Sequence, residues 1–480
     1  MIQRFIFLLF LVLGMQRVAG AEELKQFPAA IQISSTASDG SYSLSEIAAA
    51  VRKNNFSILI ITERDLMRWQ YGFWPFSRIM QKTVEEKSLF KYGIKRYLNE
   101  IQDLERKNPD LVIIPGVESA PFYYWQGSFW KGTLSLHDWH KHMLAVGLTR
   151  EADYLYLPVV GNTRGLLLPW RLSNIWSILV PITLSVFGAW LCFSYGAKTF
   201  GIAFWALGFL LVWNNYPFRD SKFTQYQGGR GIMPYQNFID YVKGHGGVTF
   251  WSHPEAENTQ KVGWVKVETL SHEHDLYMAK DYTGFSVFYE GYEKIGIAGG
   301  IWDEVLSQYC RGARLSPVWA IAGLSFDADG DLSEALKDLR TVFLLHAPGK
   351  SEVLQALKRG SMYVSRGRNS SQFSLDSFMI IDAQTQTKGV MGETLASSGN
   401  IGIVLKGHFL NGQAQPFRIK LISNGKVIRS FETQGPVFDI LFNTFADNKI
   451  RSYFRAEVES PGLACLTNPI FVSPITGGGK

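Results

Sequence analysis

Glu118, His142 and His253 stand at the ends of three separate apolar runs, and their side chains are of the types that hold transition metals. Two imidazoles with one carboxylate suit Zn²⁺, Mn²⁺ or Fe²⁺, and an ion so held lowers the pKa of a bound water and activates it for hydrolysis. Other polar residues also close apolar runs: Gln32 and Ser34, Asp39, Glu63 and Arg64, and Asp327. In Ile31-Gln32-Ile33-Ser34, strand alternation puts the polar pair on one face and the isoleucines on the other. A lone histidine beside a strand is more often structural than a ligand. Three such donors on three strands make a candidate site.

These residues need a scaffold that gathers strand ends. Strands are expected over 30–34, 57–62, 111–115, 142–148, 248–251, 265–270 and 318–321, with helices over 47–53, 93–107 and 237–243 between them. Ser43 and Glu46 form a capping-box pattern ahead of the first helix. Strands alternating with helices imply a parallel α/β sheet or barrel, whose site residues project from the carboxyl ends of the strands. Beyond residue 348 the pattern changes. After a helix over 351–359, the short alternating runs 401–406, 417–422 and 453–458 read as an antiparallel β-sandwich.

The order of the pieces resembles the PHP (polymerase and histidinol phosphatase) domain family, metal-dependent phosphoesterases on a distorted (β/α)7 barrel. The likeness runs from about Ala29 to Asp329. Ser38-Asp39-Gly40 and the residues after it are similar to that family's HxHTxxSDG start. Residues 60–65 (IITERD) stand where the family reads ITDHD, Gly116-Val117-Glu118 matches its GxE, and His142-Met143-Leu144 matches its third motif. Ser252-His253-Pro254 matches its HP motif, and residues 323–327 occupy the place of its closing GSDAH.

The departures from the family pattern are as informative. Gln32 and Ser34 replace the first two histidines, and Thr62-Glu63-Arg64 replaces TDH. The closing Asp and His fall on Ser325 and Asp327, or on Asp327 and Asp329 if the register slips by two. The resemblance implies three metal positions side by side. The first keeps only Glu118, the second is complete as Glu118, His142 and His253, and in the third a histidine has become Arg64. A guanidinium cannot ligate a cation but can pair with Asp39 and Asp327. Two-metal hydrolysis needs both ions. The resemblance therefore implies a degenerate site that carries at most one divalent metal (Zn, Mn or Fe). The expected role is a non-catalytic binding or scaffold module, and the alternative is a mononuclear metal-dependent hydrolase. The expected ligand is a small molecule or phosphoester.

The chain of 480 residues is 46% hydrophobic and 19% charged, which excludes a disordered or coiled-coil protein. Its net charge of +6 is spread without basic blocks, so no nucleic acid is expected. Cys192, Cys310 and Cys465 lack the spacing of a cysteine metal site or disulfide framework. Residues 1–21 read as an export signal, with an apolar stretch over 5–14 and Ala19-Gly20-Ala21 at the cleavage point. Two uncharged runs over about 175–194 and 199–216 read as a transmembrane hairpin, which makes the lipid bilayer a partner. Arg164, Arg171, Arg219 and Lys222 flank that hairpin, whereas its loop holds only Lys198. Loop charge alone would turn the flanks to the cytoplasm, but long exported domains often ignore it, so the soluble parts are expected on the periplasmic or extracellular side. The expected divisions are thus 1–21, 22–165 (first part of the barrel), 166–222 (hairpin), 223–347 (second part) and 348–480 (β-sandwich domain). An aromatic-rich stretch over 122–130 reads as core, substrate wall or membrane-facing rim, and His137 and His140 are further candidate ligands.

Overall fold

Strand β1 (Lys25–Ile33) begins exposed and ends with five buried residues, so its second half must lie inside the molecule. We analysed a computed structural model that describes residues 24–475, apart from 163, 165–171, 195, 197, 216–221 and 328–329. The export signal and Asp329 lie outside the described residues. Six strands follow β1 around a ring: β2 (Ile58–Arg64), β3 (Val112–Ser119), β4 (Met143–Val146), β5 (Val248–Trp251), β6 (Gly284–Phe288) and β7 (Trp319–Ala322). The ring closes beyond β7, where the Leu324 amide donates to Ile31 O and the Phe326 amide to Gln32 O. Runs such as Ile58-Leu59-Ile60-Ile61 are apolar on both faces because one faces the barrel interior and the other the surrounding helices. Strand β4 runs antiparallel to both neighbours, which distorts an otherwise parallel barrel.

Local signals set the helices. Helix α1 (Leu44–Lys53) starts in a complete capping box: Ser43 Oγ accepts from the Glu46 amide, and the Glu46 carboxylate accepts from the Ser43 amide at 2.8 Å. Helix α2 (Ile94–Lys107) buries Ile94, Tyr97, Ile101 and Leu104, one face at helical spacing.

Two sequence expectations are corrected here. Val265–Thr269 is not a barrel strand. It pairs with Asn258–Val262 and Ser135–His137 in a separate four-stranded sheet, where only alternate residues are buried. Its place in the barrel belongs to β6, which is buried throughout.

The second correction concerns the transmembrane hairpin. Helices α3 (Leu172–Ser194) and α4 (Lys198–Asn214) do pack against each other, and a Cβ at Gly201 would lie 2.7 Å from Gly188 O. Yet among the described residues no helix is long and apolar enough to cross a membrane. At 17 residues α4 reaches about 25 Å, short of the ~30 Å hydrocarbon layer, and α3 carries Pro181 within it. The far end of α4 is tied to protein. Buried Asn214 donates to Pro75 O at 3.0 Å and accepts from the Arg78 amide at 2.8 Å. Tyr216, Arg171 and Arg219 lie outside the described residues.

The barrel sheet does not stop at the barrel. The first half of β1 pairs antiparallel with β8 (Leu339–Leu345), and the sheet runs on through β9 (Met362–Arg366) to Leu463–Thr467, Ser452–Ser460 and Gln415–Ser423. A second sheet, built on Phe373–Asp382, Asn400–Phe409 and Val437–Phe445, covers this extension over a core that includes Phe378, Ile403, Leu405 and Phe417. Arg455 joins the two halves of the molecule. Its Nε and Nη2 donate to the Asp303 carboxylate on helix α5 (Ile301–Cys310) at 2.9 and 2.8 Å, and Nη1 donates to Glu457 at 3.0 Å.

Candidate functional site

The carboxyl ends of β1, β2, β3 and β5, with the residue just before β4, converge at one mouth of the barrel. At the end of β1 the pairing with β2 slips between Ile31 and Ile33, and Gln32 takes a left-handed φ of 66°. That bulge, rather than simple alternation, aims its side chain inward. His253 and Ser325, at φ 33° and 49°, share this backbone strain. Non-glycine residues hold such angles only where surrounding structure enforces them, and they cluster at sites. Gly323 makes room for the arrangement, because a Cβ there would fall 2.1 Å from Gln32 Oε1.

Glu118, His142 and His253 come together. Glu118 Oε1 lies 3.2 Å from His142 Nδ1 and 3.4 Å from His253 Nε2, and the two imidazole nitrogens are 3.1 Å apart. A tetrahedral ion with bonds of ~2.0–2.1 Å separates its ligand atoms by about 3.3 Å, so this triangle has the size of one face of such a site. All three side chains are buried, and they form the only such donor group among the described residues.

Arg64 fills the space against that triangle. Its Nη1 lies 2.8 Å from Glu118 Oε1 and 2.8 Å from His142 Nδ1, while Nε donates to Asp39 Oδ2 at 3.1 Å. Nη1 also lies 3.4 Å from Nε2 of the same imidazole, so the guanidinium rests against the His142 ring rather than on one lone pair. The expected pairing with Asp39 is present, Asp327 acts on Arg64 through its charge, and the second paired carboxylate is Glu118. Burial alone would raise the Glu118 pKa, but Arg64 and hydrogen bonds from both histidines outweigh it and hold the carboxylate well below its usual range. Burial, reinforced by Arg64, keeps the His142 imidazole neutral.

The remaining candidates divide into those at the mouth and those behind it. Gln32 Nε2 donates to Glu118 Oε2 at 3.2 Å and to Ser252 Oγ at 2.6 Å. Ser34 is buried, and among the described residues its hydroxyl finds no partner. Glu63 turns away from the triangle and clamps the loop after β1, accepting from the Ser35 amide and hydroxyl and from Ser38 Oγ; burial pushes its pKa up. His137 stacks on Tyr124 at 5.0 Å, and His140 approaches Gln260 at 3.2 Å, so neither joins the donor set. Tyr123 and Trp125 of the aromatic stretch are core, whereas Trp130 is exposed.

Sequence reasoning missed Ser252, which bridges Gln32 and Glu118, although it sits beside His253 in the HP motif. It also missed Asp65, buried behind the mouth and held by Ser119 Oγ at 2.6 Å and the Leu66 amide at 2.7 Å. In type and spacing the triad fits a divalent metal. With Arg64 in place an ion would have to displace the guanidinium, which pairs with Glu118 Oε1 and rests against the His142 ring.

No protein-family model matches the sequence, and no curated protein does. The chain is similar to some solved structures. One is a two-domain protein from Bacteroides vulgatus containing a predicted PHP-like metal-dependent phosphoesterase, with 10% identity and a TM-score of 0.34 over 92% of this chain and 97% of that one. Another, from Bifidobacterium adolescentis, is described as a metal-dependent phosphoesterase. It shares 13% identity over 63% of this chain and 89% of its own, with a TM-score of 0.27. The structures this chain is similar to are thus PHP-like metal-dependent phosphoesterases, and the chain keeps a Glu–His–His cluster that could bind a metal.

Proposed function

We propose that this chain is a PHP-like protein in which two-metal phosphoester hydrolysis has given way to binding, with the barrel mouth as the ligand site. The observation that carries this reading is Gln32. Its N–H points at Glu118 Oε2 from 3.2 Å, so a donor stands where the first metal position needs a lone pair. Without a second ion, nothing stabilises charge on both the attacking and the leaving oxygen. Aryl phosphate mono- and diesters, assayed with Mn²⁺, Zn²⁺ or Fe²⁺, should be turned over no faster by the protein than by its Glu118→Gln variant. Turnover that Glu118→Gln abolishes would overturn the reading in favour of a mononuclear hydrolase, the alternative that the triangular donor set favours.

The apolar surface of α3 and α4 supports a lipid surface as partner, contacted rather than crossed. Trp176, Phe193, Phe200 and Trp213 are each 68–91% exposed there. Co-flotation with phosphatidylglycerol-containing vesicles should follow, and replacing these four residues with serine should abolish it. The amino-terminal leader supports a place outside the cytoplasm. Alkaline phosphatase fused after Ser135 or after Lys261 should be active in both cases, and inactivity of both would reverse that placement.

A further inference from the structure

We infer that Arg64 is the resident cation of the Glu118–His142–His253 triad, and that it and a divalent metal exclude one another. The inference shares with the proposed function only the assignment of these residues to one site. It concerns what the site holds, not whether it turns anything over.

The donors are arranged for an ion, and a guanidinium already stands among them. Arg64 Nη1 sits 2.8 Å from Glu118 Oε1 and rests against the His142 ring, 2.8 Å from Nδ1 and 3.4 Å from Nε2. The other oxygen of Glu118 accepts from Gln32. Glu118 thus meets a donor at each oxygen, and one corner of the triangle is already paired with a positive charge.

An entering ion would therefore have to displace the guanidinium from Glu118. It would also have to sit within a few ångströms of a positive charge at a largely buried position, since the Arg64 side chain is only 14% exposed. Asp39 holds the other edge of the guanidinium through Nε, so the arginine is anchored and not free to swing away. The chain carries its own counter-ion for Glu118, covalently attached and impossible to chelate.

The test is zinc binding to the full chain, measured by competition with a chromophoric chelator. The unaltered protein should hold less than about 0.1 Zn²⁺ per chain. Arg64→Met should take up one Zn²⁺ with an affinity higher on the order of 100-fold, the scale set by removing a like charge a few ångströms away. Adding Glu118→Gln to that variant should abolish the uptake. Arg64→Lys keeps the charge and should stay zinc-poor. Equal zinc affinity in the unaltered and Arg64→Met proteins, uptake by Arg64→Lys matching that of Arg64→Met, or no uptake by a folded Arg64→Met would each overturn the inference.

Should Arg64→Met fail to fold, the unaltered protein gives an independent reading. Long-range ¹H–¹⁵N spectra should show both imidazoles unmoved by excess zinc. Zinc-induced shifts of both rings would overturn the inference. A metal-bound but inactive protein would sink this inference and leave the proposed function standing. Glu118-dependent turnover would sink the proposed function instead.

Discussion

Two buried arginines, each facing carboxylates, do opposite things in this molecule. Arg455, at the junction of barrel and sandwich, is sealed from solvent and lies over the Trp302 ring at 4.8 Å. Its nitrogens are matched by Asp303, Glu457 and Ile297 O, and Tyr453 completes the set by donating to Asp303 at 2.8 Å. Arg64, at the barrel mouth, pairs with Asp39 and Glu118 and rests against the His142 ring, beside strained backbone. A network closed on itself locks two parts together. A network with strain around it, built on residues of metal-ligand type, marks a place where a cation is held.

The comparison can be broken most directly at Arg455. Arg455→Met leaves Asp303 buried with only the neutral donors Tyr453 and Gly299 and leaves Glu457 with Lys420 alone, and should cost about 3–5 kcal/mol in chemical denaturation. Adding Asp303→Leu should recover much of that loss, and a single-variant cost under about 1 kcal/mol would show that the junction is not a lock. Arg64→Met should cost less, about 2 kcal/mol, because Asp39 is partly exposed to water and Glu118 keeps Gln32 as a donor. Equal costs at the two arginines would erase the distinction.

Asp65 sharpens the contrast with a group that has no such partner. Burial, only partly offset by hydrogen bonds from Ser119 and Leu66, raises its pKa from 3.8 to about 6. A carboxyl so raised favours the folded state fully below pH 3.8 and loses that contribution as pH rises through about 6. Asp65→Asn, which can keep both hydrogen bonds, should therefore stabilise the protein at pH 8 by about 1–2 kcal/mol and flatten its stability between pH 4 and 6. An unchanged pH profile would count against a raised pKa. The smallest effect is expected at Ser34. Its unpartnered hydroxyl costs desolvation without return, so Ser34→Ala should be neutral or stabilising by up to about 1 kcal/mol in thermal melts. A clear loss would reveal a partner for that hydroxyl.

Much of the barrel was legible because its strands are short apolar blocks ending in polar residues, and Val248–Trp251 was placed to the residue. Strand β6 escaped notice because Gly284-Phe285-Ser286-Val287-Phe288 has no alternation to announce it, while Val265–Thr269 alternates cleanly and lies elsewhere. Long-range pairing decides which of two such segments joins the ring, and one-dimensional periodicity does not carry it. The same limit governs α3 and α4, since uninterrupted apolar composition describes helices packed on each other as well as helices in lipid. At the site, motif order brought Glu118, His142 and His253 together. It did not reveal that Arg64 turns to Glu118 and His142, which depends on a side-chain rotamer and not on spacing.

Strands β4 and β5 pair residue for residue, Met143 with Trp251 through Val146 with Val248, although the helical pair lies between them in the chain. The ring closes there as it would across a short loop. Loop-closure entropy grows only with the logarithm of length, so each doubling of that connection costs about 0.6 kcal/mol. The barrel could thus have acquired the helices late and at little thermodynamic expense, as a cassette slipped into an existing seam. A chain joining Asn162 directly to Phe223 through a short flexible linker keeps the buried Tyr154, Leu157 and Val160 and removes only the helical cassette.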